Sequence, residues 1–162
     1  MILIGLGSSL PFCGAEPQEV LRLAIRAIGR FAPVGDISRF YASPAWPDPS
    51  DPPFVNAVIA VSTPLSPVAL LRALHEVEAA FGRRRDRKNA PRTLDLDLLA
   101  FGRLTSRGGK GPDLPHPRLA SRDFVLAPLC DIAPDWIYPL TGQTCRQMLA
   151  ALKEVRATPL SG

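Results

Sequence analysis

The sequence has few of the residues that build covalent or metal-based scaffolds. It contains 3 cysteines and 2 histidines in 162 residues. Cys13, Cys130 and Cys145 are far apart and form no Cys-x-x-Cys pair, which argues against a disulfide framework and against a zinc site. Free, scattered cysteines are typical of a reducing compartment, so we expect a cytoplasmic protein.

Long apolar runs are also missing. No segment approaches the roughly 18 consecutive apolar residues of a membrane span. The opening MILIGLGSSL has no basic stretch before its apolar residues, so no signal peptide is expected. There is no Walker phosphate loop, and the GLGSSL segment at 5–10 lacks the third glycine of a dinucleotide fingerprint. These absences disfavour membrane proteins, P-loop enzymes and dinucleotide-binding enzymes.

Length and charge predict one small domain, here taken as residues 1–162, that acts on anionic partners. A chain of this length can bury a real core. The net charge of +4 at pH 7 favours phosphorylated small molecules as much as nucleic acid. Many of the 18 prolines lie between predicted elements, as in 44-PAWPDPSDPP-53, which indicates ordered loops.

Hydrophobic periodicity predicts a ferredoxin-like α/β (α+β) fold. The predicted strands are 1–6, 34–43, 54–63 and 93–101, and the predicted helices are 16–31, 66–82, 122–133 and 143–153. Ser66 is expected to cap the second helix, Gly82 to end it and Pro128 to interrupt the third. A hairpin or mobile loop is expected at 102–111, and fraying beyond Thr158. The βαββαβ order predicts an antiparallel sheet with helices on one face, followed by extra C-terminal helices.

The segment 91-PRTLDLDLLAFG-102 places two aspartates in a leucine-rich strand. Strand alternation puts the leucines on one face and Asp95 and Asp97 on the other, with the two Cα atoms roughly 7 Å apart. Two neighbouring carboxylates without a partner cost stability, and a divalent cation removes that cost. Oxygen ligands favour magnesium, and two bridging carboxylates can hold two ions. An exposed edge strand that merely happens to be acidic explains the alternation equally well.

A run of cations beside the acidic pair favours the magnesium hypothesis. These cations are Arg83, Arg84, Arg85, Arg87, Lys88 and Arg92. Guanidinium groups beside metal-binding acids suit a polyphosphate, whereas the basic run alone is typical of a solvated loop. A Gly-Ser turn with an Asp-x-Asp also occurs in nucleotidyltransferases, but Gly7-Ser8 lies too far from Asp95 in the chain for that arrangement.

Isolated polar residues add weaker signals. His116 lies between two prolines with two arginines nearby, a suitable position for contacting phosphate. Asn56 interrupts an apolar strand and needs hydrogen-bond partners if buried, which a planar heterocycle would provide. His75, alone on a predicted helix, is expected at the surface. Phe54 and Phe124 would by themselves be assigned to the core.

Four motifs together resemble one enzyme family. LGSSL, FVNAVIAVST, PRTLDLDLLAFG and LPHPRLASRDFVLAPLCDIAPDW are similar, in this order, to the 6-hydroxymethyl-7,8-dihydropterin pyrophosphokinases of folate biosynthesis, over residues 2–152. The resemblance implies a monomeric enzyme of ferredoxin-like fold that transfers the β,γ-pyrophosphoryl group of ATP to the pterin hydroxymethyl group, releases AMP and uses two Mg²⁺ ions.

The resemblance also implies roles for individual residues. Asp95 and Asp97 would bridge both ions, and one of them would meet the pterin hydroxyl. ATP would contact Glu78, Arg83, Arg85, Arg92, Leu98, His116 and Arg122. The pterin would contact Ser43, Pro44, Trp46, Phe54, Asn56, Asp95 and Phe124, with the two phenylalanines on either side of its ring. The catalytic set would be Asp95, Asp97, Arg83 and Arg92.

Three positions depart from the family pattern, and one alternative stays open. Ser9 stands where asparagine is usual, Ala90 replaces a glycine, and Asn89 stands where some members have tryptophan. The alternative is a non-catalytic nucleic-acid-binding module of the same fold that uses the basic segment 83–92. The sequence lacks the aromatic pattern that such a module needs on its sheet, so we expect no nucleic-acid partner and no membrane partner.

Overall fold

One antiparallel sheet organises the molecule in the computed structural model, which describes residues 1–83 and 90–161. Its strands are β1 (Ile2–Ser8), β2 (Val34–Ile37), β3 (Tyr41–Ser43), β4 (Phe54–Val61), β5 (Asp95–Phe101) and β6 (Thr158–Pro159). β1 lies between β4 and β5, β4 also pairs with β2 and β3, and β6 pairs with β3 at the far side. β5 is therefore an edge strand that pairs only with β1 among the described strands.

The helices are α1 (Pro17–Ile28), α2 (Pro67–Ala80), α3 (Asp123–Ile132) and α4 (Cys145–Ala150), with a short 3₁₀ turn at Leu119–Ser121. The order β1, α1, β2/β3, β4, α2, β5 is the predicted βαββαβ order, with its second strand divided in two. The predicted fold class is thereby confirmed. Within residues 1–83 and 90–161, no helix has both the length and the apolarity needed to cross a bilayer.

The helices cover both faces of the sheet. α1 and α2 pack on the face that carries Ile4, Ile59 and Leu96, and α3 and α4 pack on the face that carries Leu3 and Val58. The two helices of the βαββαβ core therefore lie on one face, as predicted, and the extra C-terminal helices α3 and α4 cover the other. The long apolar run of β4 was the available signal, since a strand buried on both faces does not alternate.

The element boundaries differ from the predictions where tertiary contacts intervene. The predicted strand 34–43 is split at Ser38, whose backbone N–H donates to the Val58 carbonyl and whose Oγ accepts from the Val58 N–H, at 3.0 and 2.9 Å. Pro128 does not interrupt α3, because packing against the sheet outweighs the loss of one backbone hydrogen bond. The fraying expected beyond Thr158 was also wrong, since Thr158 and Pro159 pair with β3.

Two helix termini follow their local sequence. The Ser66 hydroxyl accepts from the Ala69 N–H at 3.2 Å, which confirms the predicted cap of α2. At the other end, Gly82 has a φ of +72° and donates its N–H to Ala79, while the Arg83 N–H donates to the Glu78 carbonyl. This pair of bonds is a Schellman motif, which needs a residue that tolerates the left-handed conformation.

Candidate active site

A cavity of about 980 Å³ is lined by residues of β1, β4 and β5 and by residues of α2 and α3. Every predicted site residue in the described part of the chain lines it: Ser43, Pro44, Trp46, Phe54, Asn56, Glu78, Arg83, Arg92, Asp95, Asp97, Leu98, His116, Arg122 and Phe124. Arg85 lies outside the described residues, as does the rest of the segment 84–89. The sequence-based set therefore converges on one place, in a cavity large enough for a small-molecule ligand.

Two glycines of β1 form the floor of this cavity. Gly7 pairs with Asn56 on one side and with Asp95 on the other. A Cβ atom on Gly7 would lie 3.4 Å from the Asn56 Oδ1 and 3.8 Å from the Asp95 Cβ, so the glycine leaves the space between these side chains open. Gly5 pairs with Asp97 in the same way. Neither glycine was predicted as a site residue, although glycine inside a strand is a sign of close ligand approach.

The two aspartates have different surroundings. Asp95 Oδ1 accepts from Arg83 Nη1 at 2.8 Å and lies 3.2 Å from Arg92 Nη1. Asp97 lies 3.8 Å from Arg122 and 3.9 Å from His116, which is beyond hydrogen-bond distance. Burial and the Asp95 charge raise the pKa of Asp97 to about 6, against the opposing charge of Arg122. β5 is an edge strand, but its acidic face lines the cavity.

Glu78 lies beneath the charged end of the cavity, where it contacts both β5 and Arg83. Its carboxylate is 2% exposed, accepts the Leu96 N–H at 2.7 Å and pairs with the Arg83 guanidinium. Leu96 lies between the two aspartates on β5, so Glu78 fixes the backbone that carries them. The Schellman ending of α2 turns Arg83 back toward its own helix, which explains how one arginine reaches Glu78 and Asp95 together.

Arg92 is held in place by the end of β1. Its N–H donates to the Ser9 Oγ at 3.1 Å, and its carbonyl accepts from the backbone N–H groups of Ser9 and Leu10 at 3.0 and 3.2 Å. Ser9 is 4% exposed. The serine that departs from the family pattern thus supports the backbone of Arg92.

His116 faces Asp97 from the segment that precedes α3. The His116 N–H donates to the Leu99 carbonyl at 2.8 Å, and His116 Nδ1 accepts from the Arg118 N–H at 3.1 Å. Burial and the charges of Arg122 and Arg118 lower the His116 pKa to about 4. His116 is therefore neutral at pH 7, and a neutral ring whose Nδ1 accepts carries its proton on Nε2, toward the cavity.

The end of the cavity away from the arginines is lined by aromatic side chains and by the side-chain amide of Asn56. Asn56 is buried and donates from Nδ2 to the Ser43 Oγ at 2.8 Å. Phe54 and Trp46 line the same end, and Trp46 remains 69% exposed. Phe124 enters from α3 and has the Arg122 guanidinium 5.3 Å from its ring centroid.

Some lining residues were not predicted. They include Leu71, His75, Pro112, Asp113 and Arg118. His75 is exposed, as expected, but it also lies on the cavity wall. It precedes Glu78 by three residues on α2, and residues at that spacing share a helix face. This spacing was the signal that could have identified it.

The acidic pair suits a magnesium ion in donor chemistry. Asp95 and Asp97 present carboxylate oxygens to the cavity and have side chains 27% and 32% exposed. Within the described ranges, no group of three or more His, Cys, Asp or Glu residues converges as a metal site. Asp95 and Asp97 would supply two ligands to a magnesium ion there, and water and phosphate oxygens would complete its shell.

Comparisons with known proteins show which sequences this chain resembles. Residues 3–134 match the family model described as 7,8-dihydro-6-hydroxymethylpterin-pyrophosphokinase. The chain is 41% identical over 155 residues to a 2-amino-4-hydroxy-6-hydroxymethyldihydropteridine pyrophosphokinase of Synechocystis, covering 91% of this chain and 73% of that protein. It is 39% identical over 152 residues to the Pseudomonas aeruginosa protein of the same name, covering 93% and 90%.

A solved structure shares the fold. The crystal structure of wild-type Plasmodium falciparum HPPK-DHPS superimposes with a TM-score of 0.72 at 12% identity and covers 92% of this chain. The match covers 44% of that protein, so the chain spans less than half of its length. At this identity the likeness concerns the fold alone.

Proposed function

The chain belongs to the 7,8-dihydro-6-hydroxymethylpterin-pyrophosphokinase family, and we propose how its cavity residues divide the work of that family's reaction. The enzyme transfers the pyrophosphoryl group of ATP to hydroxymethyldihydropterin in folate biosynthesis. The hydroxymethyl oxygen forms a bond to the β-phosphorus and loses its proton, while the bond from the β-phosphorus to the α-phosphate oxygen breaks. The products are AMP and the pterin diphosphate.

The pterin occupies the aromatic end of the cavity. Asn56 hydrogen-bonds to the amide edge of the pterin. Its Nδ2 already donates to the Ser43 Oγ, and its Oδ1 lies beside the open space above Gly7, where it can accept from the pterin. Phe54 and Phe124 stack on the ring faces, and Ser43, Pro44 and Trp46 close this end of the pocket. Asp95 lies across Gly7 from Asn56, and this position supports assigning its carboxylate to the hydroxymethyl group of the bound pterin.

The triphosphate occupies the charged end. Arg83 and Arg92 lie beside Asp95, and Arg122 and neutral His116 lie beside Asp97. Guanidinium groups form bidentate hydrogen bonds to phosphate oxygens and stabilise the negative charge that develops during transfer. Glu78 holds Arg83 and β5. Leu98, which lines the cavity, is assigned to the nucleotide, and so is Arg85, which is outside the described residues.

Two Mg²⁺ ions bound by Asp95 and Asp97 would neutralise the phosphates and help align them with the pterin hydroxyl. The support for this proposal is the donor set, in which two hard oxygen ligands stand on one strand face inside the cavity. The protein supplies no thiol among these ligands, which fits magnesium better than a softer metal.

We propose further that residues 1–162 act as one domain, as a monomer, in the cytoplasm. The support for one domain is that β6, near residue 160, pairs into the same sheet as β1. The cysteines Cys13, Cys130 and Cys145 are free thiols, which fits a reducing compartment. The nucleic-acid-binding alternative has no support from the family match.

The observation that carries the proposal is the convergence of the acidic pair, the arginines and Asn56 on one cavity. The test is incubation with Mg-ATP and hydroxymethyldihydropterin, followed by identification of the nucleotide product. We expect AMP; ADP would indicate transfer of one phosphoryl group, and absence of turnover would contradict the proposal.

The acidic pair has its own test. Asp97→Ala should abolish turnover and leave the circular dichroism spectrum and the melting transition close to wild type. Asp36→Ala, which removes an exposed carboxylate on β2 away from the cavity, is the matched control and should keep full activity. Turnover by Asp97→Ala near the wild-type rate would overturn the assignment of the acidic pair.

A further inference from the structure

Asp123 joins two parts of the chain that are distant in sequence. Its Oδ2 accepts from the backbone N–H groups of Arg156 and Ala157, at 2.5 and 2.8 Å. Its Oδ1 accepts from the Phe124 N–H at 2.8 Å. Asp123 is the first residue of α3, where the capping residue Arg122 makes no side-chain cap. A carboxylate at this helix end is favourable, because the helix dipole is positive there.

The segment that Asp123 holds continues onto the sheet. Thr158 pairs with Ala42 and Pro159 pairs with Tyr41 as strand β6, and the Leu160 N–H donates to the Phe40 carbonyl at 2.8 Å. β3 has only three residues and would be an edge strand without this partner. Short unsupported edge strands are the least stable part of a sheet.

A small apolar cluster fills the space between the two attachments. Ala157 is 7% exposed and packs with Tyr41 and Ala127, and the Phe124 ring packs against the same cluster. The segment 156–160 thus contacts α3 through Asp123, contacts β3 through backbone pairing, and supports Phe124 through Ala157.

We propose that Asp123 and the segment 156–160 are positioning elements for pterin binding. The start of α3 carries Phe124, and β3 ends at Ser43, so the segment sets the separation of two walls of the pterin end of the cavity. The inference rests on the proposed pterin site. The segment lies outside the residues matched by the family model, which end at 134.

Asp123 and the segment 156–160 position the walls of the cavity and do not themselves contact the substrate. Two arginines assigned to the triphosphate lie away from the segment: Arg83 follows α2 and Arg92 precedes β5, and the segment bonds to neither among its described hydrogen bonds. Arg122, also assigned to the triphosphate, directly precedes Asp123. Loss of the segment should therefore weaken pterin binding more than ATP binding. A purely structural role would lower the amount of folded enzyme and leave both substrate affinities of the folded fraction unchanged.

The test compares Asp123→Ala, Asp123→Asn and a chain ended after Val155. We expect Asp123→Ala and the shortened chain to raise the KM for the pterin about tenfold, the scale of losing charge-assisted hydrogen bonds, with the KM for ATP within twofold of wild type. Asp123→Asn keeps an oxygen acceptor and should recover part of the loss. The Kd of the pterin, from its fluorescence with a non-hydrolysable ATP analogue and Mg²⁺ present, should follow the KM.

Arg156→Ala is the matched control, because only the backbone of Arg156 bonds to Asp123 while its side chain pairs with Glu154 at the surface. It should behave as wild type.

If wild type turns over and both the shortened chain and Asp123→Ala keep the wild-type pterin KM, the inference is overturned and the proposed function stands. Equal rises in both KM values also overturn it. If Asp123→Ala does not fold, the shortened chain decides. Absence of turnover in wild type overturns the proposed function and this inference with it.

Discussion

Arg83 Nη1 lies 2.8 Å from Asp95 Oδ1, so a guanidinium assigned to phosphate is paired with a carboxylate assigned to a cation. The same nitrogen also pairs with buried Glu78. An entering triphosphate competes with Asp95 for Arg83, and an entering cation competes with Arg83 for Asp95. Each of these events weakens the Arg83–Asp95 pair, so Mg²⁺ and ATP should bind more tightly together than either does alone.

Arg83→Ala should lower kcat/KM for ATP by about 100-fold, a loss typical for removal of a group that stabilises transferring phosphate charge. It should also lower the melting temperature, because buried Glu78 loses a cationic partner. Initial rates and thermal unfolding measure the two effects.

Arg72→Ala removes an exposed cation from the middle of α2 and is the charge-matched control. A similar loss of activity in both variants would mean that Arg83 acts through net charge alone. Arg83→Lys should be only partly active, since lysine lacks the two-pronged geometry.

Gly7→Ala should raise the Kd for the pterin at least tenfold with little change in stability. The added Cβ makes ordinary contacts of 3.4–3.8 Å with Asn56, Phe54 and Asp95, so the fold accommodates it while the floor of the cavity is filled. Gly35→Ala, on strand β2 with its nearest neighbour at 3.7 Å, is the control for alanine in a strand. Unchanged pterin affinity in Gly7→Ala would show that the ligand does not approach this floor.

Gly82→Ala should reduce both stability and activity. Its φ of +72° disfavours a side chain, and a Cβ there would lie 2.8 Å from the Phe12 ring. Gly102 has a comparable φ of +58°, and a Cβ there would have no neighbour within 4 Å. Gly102→Ala should therefore lose only the free energy of the backbone strain, about 1 kcal/mol. The excess loss in Gly82→Ala, measured by urea unfolding, isolates the clash with Phe12. Equal losses would show that the ring moves away freely.

The strands and the acidic pair were predictable because they depend on local alternation. In 91-PRTLDLDLLAFG-102 the two-residue period alone puts Asp95 and Asp97 on one face, and the structure places that face in the cavity. The side of the sheet that α3 covers was not predictable in this way, because periodicity identifies the apolar side of a helix and not the sheet face that receives it.

Two other features depend on contacts between distant residues. The pairing of Thr158 with Ala42 has no signal in a short polar segment, and so fraying was expected there. The open floor at Gly7 depends on its two strand neighbours, Asn56 and Asp95, which only the register brings together. The resemblance supplied Asn56 and Asp95 but not the glycine between them.

The turn at Cys13-Gly14 offers a stabilising change outside the cavity. Phe12 and Ala15 exchange two backbone hydrogen bonds of 2.9 Å, and both loop residues have positive φ, +48° and +80°. This is the geometry of a type I′ hairpin turn, in which asparagine followed by glycine is preferred. Cys13→Asn should therefore raise the free energy of unfolding by about 0.5–1 kcal/mol, because asparagine tolerates the left-handed conformation better than cysteine. Cys13→Ala also removes the exposed thiol but lacks this preference, so urea unfolding should show no gain for it; an equal gain in both variants would trace the effect to the thiol and not to the backbone.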